Sequence, residues 1–170
     1  MLRFLPVAAL WALAACSPTF NWREVRSESA PLKAMFPCKP DKASRPVAMA
    51  GREVEMQGTG CDAGGAAFAV FTADIADAAR LGEVLAQWQG ATLANMRGTS
   101  AQPRPFVPPG ALALPQSLQV EARGKRADGS AVQSRAAYFA RGSRVFQAVI
   151  YADSLPAQAA DIFFEGLRFE

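Results

Sequence analysis

The side chains that do most enzyme chemistry are scarce here, and the 170-residue chain contains no histidine. Its absence removes Ser-His-Asp triads, Cys-His dyads and His-ligated metals together. Two of the three cysteines, Cys38 and Cys61, do not make a structural zinc site by themselves, and neither has a CxxC spacing or an adjacent activating base. There is no G-x-S-x-G and no P-loop. Gly58-Thr59-Gly60-Cys61-Asp62-Ala63-Gly64 has a superficial phosphate-loop look, but its glycine spacing is off by one and it leads into a strand, so it reads as strand-end and turn. Glu53 and Glu55 alternate on the polar face of a strand, and Asp74 and Asp77 suit helix capping. No catalytic residue, metal ligand or cofactor is assigned. An enzyme working through carboxylates that converge in space is the last-ranked reading.

Cys16 is the residue whose context carries a specific chemistry. Met1-Leu2-Arg3 supplies a positive start, and Phe4–Ala15 is an apolar run of twelve residues. As a helix that run rises only about 18 Å, short of the roughly 30 Å hydrocarbon core, so it reads as an export signal rather than a span. The segment ends Leu13-Ala14-Ala15-Cys16, which resembles the lipobox of bacterial lipoproteins. The resemblance implies cleavage after Ala15 and acylation of Cys16 on its thiol and its new amine, with palmitate-type chains. Several chains are needed, since one acyl chain binds a membrane only marginally. Ser17 in place of Asp resembles an outer-membrane sorting signal, with the domain facing the periplasm. The alternatives are an ordinary secretory signal in which Cys16 is incidental, and an uncleaved N-terminal anchor.

Export changes the reading of the other cysteines. In an oxidising compartment an even pair reads as a disulfide, here Cys38 with Cys61, against the alternative of a reactive thiol. The loop closed would span about 24 residues, which chain entropy values at roughly 3–4 kcal/mol. Arg3 leaves with the signal, so 17 basic residues face 15 acidic ones in the mature chain. That near-neutral, scattered balance and the compartment argue against nucleic acid as a partner. Arg123, Lys125, Arg126, Arg141 and Arg144 lie near strand ends, where they read either as ordinary turn charge or as contacts for anionic lipid. Trp22, close to the tether, is a candidate membrane or partner contact, and Trp88 is expected in the core.

The elements that must position these residues follow from pattern. Residues 1–15 form the signal; 16–30 hold the lipidated cysteine, a tether and a possible first edge strand (Phe20–Arg26); 31–170 form one domain. Pro31–Pro37 reads as a short strand and Lys39–Arg45 as a polar loop. Val47–Ala50 and Arg52–Cys61 flank a turn at Ala50-Gly51, and Ala66–Thr72 is apolar enough to be a central strand. Leu81, Val84, Leu85, Trp88, Thr92 and Met96 recur at helical steps down to Gly98, capped by Asp74 or Asp77. The loop 101–115 carries five prolines and a glycine. Turns at Asp128-Gly129 and Gly142-Ser143 then predict a three-strand meander. With two-residue loops, Leu118 faces Phe139, Val120 faces Ala137 and Phe139 faces Phe146. The expected apolar face therefore holds Leu118, Val120, Ala137, Phe139, Phe146, Ala148 and Ile150. A last helix runs from about Pro156 to Gly166, with Ser154 as its cap. The predicted fold class is α+β, an antiparallel sheet with helices packed on both faces.

The order of these elements, with "LKAMFPCKP", "AAYFARGSRVFQAVIYAD" and "AADIFFEGLRF", resembles the PsbP-like fold over roughly residues 20–170. That family includes an extrinsic subunit of photosystem II and many small exported proteins of unknown role. The resemblance implies a non-enzymatic accessory or assembly module. The Cys38 and Cys61 pair is similar to that of a narrower set of proteobacterial lipoproteins. The expected function is thus a membrane-anchored envelope module that binds another envelope protein. The runner-up is a lipoprotein that binds a small ligand or lipid, in a cavity between sheet and helix or at the loop 101–115.

Overall fold

The computed structural model describes residues 18–100 and 102–170. The export segment 1–15, Cys16 and Ser17 lie outside the described residues. In chain order the first elements are β1 (Arg23–Arg26), β2 (Leu32–Phe36), β3 (Asp41–Met49), β4 (Arg52–Ala63), β5 (Ala66–Asp74) and α1 (Leu81–Asn95). They are followed by β6 (Thr99–Ser100), β7 (Arg104–Pro105), β8 (Leu118–Lys125), β9 (Ala131–Arg141), β10 (Arg144–Ala152), α2 (Ala157–Glu165) and β11 (Arg168–Phe169). Every strand pairing is antiparallel.

Two meanders, β3-β4-β5 and β8-β9-β10, meet through their last strands to give one large sheet in the order β3-β4-β5-β10-β9-β8-β6. The two-residue β7 pairs β8 beside β6. Crossing from one meander to the other is the task of α1, which lies over β9 and β10. A second, three-stranded sheet, β1-β2-β11, faces the large one. Between the sheets Phe68, Phe139 and Phe146 of the large sheet meet Phe36, Phe163, Phe164 and Phe169, with ring centroids 5.1–5.6 Å apart in five pairs among these rings.

The expected fold class is therefore corrected. Strands hold 48% of the described residues and helices 18%, so the molecule is mostly β. The face assigned to the second helix is closed chiefly by a second sheet. The nine-residue α2 packs on β2 of that sheet and sends Phe163 and Phe164 inward. Sequence pattern anticipated β1 and β2 as short strands but not the separate sheet they form with β11, whose two residues are below the length at which alternation is readable.

The register of the second meander is half as expected. Across Gly142-Ser143 the two-residue loop forms, and Phe146 faces Phe139 and Ala148 faces Ala137. Across Asp128-Gly129 the loop is longer by one. Arg126 N donates to the Ser130 carbonyl at 2.8 Å, Gly129 N donates to the Arg126 carbonyl at 3.0 Å, and Gly129 takes φ +86°. This is a three-residue loop ending in a left-handed residue, for which glycine is suited. Leu118 consequently faces Tyr138 and Val120 faces Ala136. One residue of slip moves the whole apolar set of β8 to the opposite face of the sheet.

Other boundaries shift for local reasons. The polar run from Asp41 is strand, with Pro46 tolerated because β3 is the exposed edge. Asp77, not Asp74, caps the helix entry, its Oδ1 accepting from Ala79 N at 3.0 Å ahead of a short 3-10 turn. Pro156, rather than Ser154, stands at the start of α2. The proline-rich loop is pinned by β7 and by Phe106, which packs on Phe139 and Phe164.

Candidate functional site

A helix is about 10 Å across and sheet strands lie about 4.8 Å apart, so one helix covers roughly two strands. Lying on β9 and β10, α1 leaves β4 and β5 open on one side and β8 on the other. A cavity opens on each side. The larger, of about 460 Å³, is bounded by Arg45, Met56, Phe71, Trp88, Met96, Lys125, Arg126 and Tyr151, together with Thr92, Asn95, Val132 and Gln147. The smaller, of about 220 Å³, lies against Leu93, Val120, Ala122, Ser134 and Tyr138. Thr92 and Met96 border both.

The wall between the cavities is polar and ordered. Gln147, 4% exposed, donates from Nε2 to Thr92 Oγ1 and to the Tyr138 hydroxyl, each at 3.0 Å. Both amide protons are thereby used. Thr92 Oγ1 also donates to the Trp88 carbonyl within α1 at 2.9 Å, so the Gln147 bond to it ties the helix to the sheet. Burial pushes the Tyr138 hydroxyl up, partly offset by hydrogen bonding with Thr92 and Gln147. Burial, with Tyr138 nearby, pushes Tyr151 up to about 12, so it remains a neutral phenol. The C-terminus of α1 is brought against β8 at Gly124, where a Cβ would fall 2.4 Å from the Met96 carbonyl oxygen. The adjacent Lys125 N donates to that oxygen at 2.7 Å.

Among the described residues no Asp or Glu borders the larger cavity, whereas three cations do. Arg126 pairs with Asp153 at 2.7 Å, and neither Arg45 nor Lys125 forms an ion pair among the described residues. The arrangement suits retention of a ligand better than proton transfer. Among the described residues no three Cys, Asp or Glu side chains cluster as a metal set would.

A third cavity, of about 450 Å³, sits between the two sheets beside β1 and β3. It is bounded by Ser27, Ser44, Gln57, Thr59 and Thr72 over Leu32, Val70 and Phe146. The Glu28–Lys42 ion pair joins the strand edges there, holding the Glu28 carboxyl below its usual value. Thr72 is 4% exposed and its Oγ1 has no partner among the described residues.

The residues singled out from sequence are distributed widely. Cys38 and Cys61 are joined, with Cα atoms 6.1 Å apart, linking the end of β2 to β4. Phe20 and Trp22 pack edge-on against Phe68 at 6.5 and 6.3 Å, and the Phe20 ring lies over the β4–β5 turn at Gly64. Arg123, Lys125 and Arg126 lie at that same end of the sheet, as the pairing of Ala66 with Ala152 and of Ala152 with Gln133 requires. Arg141 and Arg144 are at the other end. Arg141 bonds the Gly110 and Glu170 carbonyls and stacks on Phe169, and Arg144 pairs with Asp74 at 3.8 Å. Asp74 accepts from Ser143 Oγ and Ala76 N, which holds its carboxyl below the usual range. Glu53 and Glu55 are exposed on β4.

Sequence reasoning missed Arg45, Met56, Phe71 and Tyr151 as cavity residues and placed Trp88 in the core, where it is half-buried at the cavity wall. One signal was present: Thr92 is a polar residue in the apolar stripe of α1.

No family model and no curated protein matches this chain. Among solved structures it is similar to PA94, a protein of unknown function from Pseudomonas aeruginosa. The two share 14% identity with a TM-score of 0.39, over 82% of this chain and 87% of the other. No described helix is long and apolar enough to cross a membrane.

Proposed function

We propose that this chain is an envelope lipoprotein, held by lipid on Cys16 at the periplasmic face of the outer membrane, and that its domain is a non-enzymatic module that binds a small ligand. The observation that carries the binding reading is the cavity of about 460 Å³ beside α1. Its size falls among small-molecule pockets, and its lining combines apolar side chains with a few polar groups. The position of Phe20 supports the anchor. It lies four positions after Cys16, a reach of at most about 14 Å. The end of the sheet bearing the β4–β5 and β8–β9 turns would then lie close to the bilayer. Docking of an envelope protein has less support, because the exposed large apolar side chains of the proline-rich loop are only Val107 and Leu112 among the described residues.

The test is mass spectrometry of the full chain purified from membranes of an expressing Gram-negative host, first native and then denatured. The expected result is a denatured mass that adds acyl chains to a chain beginning at Cys16, with a further small-molecule mass retained only in the native spectrum. A soluble chain without added acyl mass overturns the anchor. A native mass equal to the denatured one overturns the binding module.

A further inference from the structure

We infer that the cavity beside α1 binds a single-chain anionic amphiphile, with Arg45 and Lys125 holding the head group and Met56, Phe71, Trp88 and Met96 enclosing the chain. This rests on the reading of the domain as a binding module and names what is bound.

Charge fixes one half of the ligand. Arg45 borders the cavity from the edge strand β3, and Lys125 and Arg126 border it at the end of β8. Neither Arg45 nor Lys125 is neutralised by a carboxylate among the described residues. Cationic residues bordering one cavity that no Asp or Glu lines among the described residues favour a carboxylate or phosphate there, through charge-assisted hydrogen bonds stronger than neutral ones. A cationic or zwitterionic head would bring a positive group against them.

The lining fixes the other half. Met56 is 7% exposed and Met96 6%, while Phe71 and Trp88 are half-buried and form the open walls. Methionine is unbranched and polarisable, so paired methionines adapt to a flexible chain better than to a rigid ring. At about 460 Å³ the cavity has room for one chain rather than two. The neutral Tyr151 phenol and the Thr92 hydroxyl offer hydrogen bonds without adding negative charge.

The experiment uses the full chain from whichever fraction holds it, after its intact mass has shown whether Cys16 is acylated. It is incubated with a fatty acid carrying a diazirine near the chain end, irradiated, and digested for mass spectrometry. The uncharged alcohol of the same chain length serves as the control probe. Labelling is expected on peptides holding Met56, Phe71, Trp88 or Met96, and weakly with the alcohol. The double variant R45E/K125E should lower it about tenfold or more, in keeping with the loss of two charge-assisted contacts. The conservative R45K/K125R should retain it. Both positions are exposed, so melting temperatures should be unchanged. Equal labelling by acid and alcohol, labelling scattered over the surface, or indifference to R45E/K125E each overturns the proposal. Because the readout is the labelled peptide, a chain that proves unacylated at Cys16 leaves this test intact.

Discussion

The two faces of the large sheet are built from the same strands and closed by different means. On one face Phe68, Phe139 and Phe146 are met by Leu32 and Phe36 of β2, Phe163 and Phe164 of α2, and Phe169 of β11. Most of these side chains are 2% exposed or less. On the other face the sheet presents smaller groups, Ala73, Ala136, Ala140, Val145 and Val149, and α1 brings Leu81, Val84 and Leu85 to them. These two closures differ in what they leave. A sheet with a helix set against it matches the width of a sheet, whereas one helix matches about two strands. The aromatic face concentrates the largest buried side chains, yet it too keeps a cavity of about 450 Å³ over Thr72, while the helix-covered face seats Gln147 beneath α1 and opens on both sides of that helix.

That contrast is open to direct attack. Phe163 is wholly buried between the sheets, and Phe163→Ala should cost about 3–5 kcal/mol in denaturant unfolding. A loss below 1 kcal/mol would mean the aromatic layer is not the main core. On the same side, Cys38→Ser should cost roughly 3–4 kcal/mol, since the bridge closes a segment of 23 residues. An unchanged melting curve in that variant and in Cys61→Ser would remove the bridge from the ledger. Trp88→Ala is the counterpart on the open face. Half-buried at a cavity wall, Trp88 should contribute only about 1–2 kcal/mol, while its loss should reduce amphiphile labelling far more than Phe163→Ala does. Equal effects of the two variants on labelling would erase the division between the faces.

The smallest effect is electrostatic. Both tyrosines of the chain lie on the helix-covered face with raised values, Tyr151 at about 12. The folded state keeps the neutral phenol where the unfolded chain ionises near 10. Its contribution is therefore complete below pH 10 and is lost as pH rises from there towards 12. Phenolate absorbance should appear only above the ordinary tyrosine range, in step with loss of stability. Titration near 10 in the folded protein would show that water already fills the cavity around Tyr151.

What could be read in advance has a physical boundary. The hairpins at Ala50-Gly51 and Gly142-Ser143 and the stripe of α1 were legible because each is set by residues close in sequence. The register across Asp128-Gly129 was not, because two- and three-residue loops share the same Asp-Gly pair, and only packing against Tyr138 and Ala136 chooses between them. Arg45 illustrates the site. It falls in the run Lys39–Arg45 that reads as a polar loop, and only pairing of β3 with β4 turns its side chain towards α1. A cavity is the part of a fold least visible in sequence, since it is defined by where two elements fail to meet.

Pro46 carries a last consequence. β3 ends the large sheet with an exposed row of backbone donors and acceptors, the kind of margin onto which a neighbouring copy adds a strand. A proline within β3 deletes one donor from that row, and the charged Asp41, Lys42 and Arg45 discourage a flat approach. The far margin of the sheet is shielded by the two-residue strands β6 and β7. If the proposed lipid on Cys16 concentrates the chain on a surface, where copies meet far more often than in solution, such guarded margins suppress sheet-to-sheet aggregation.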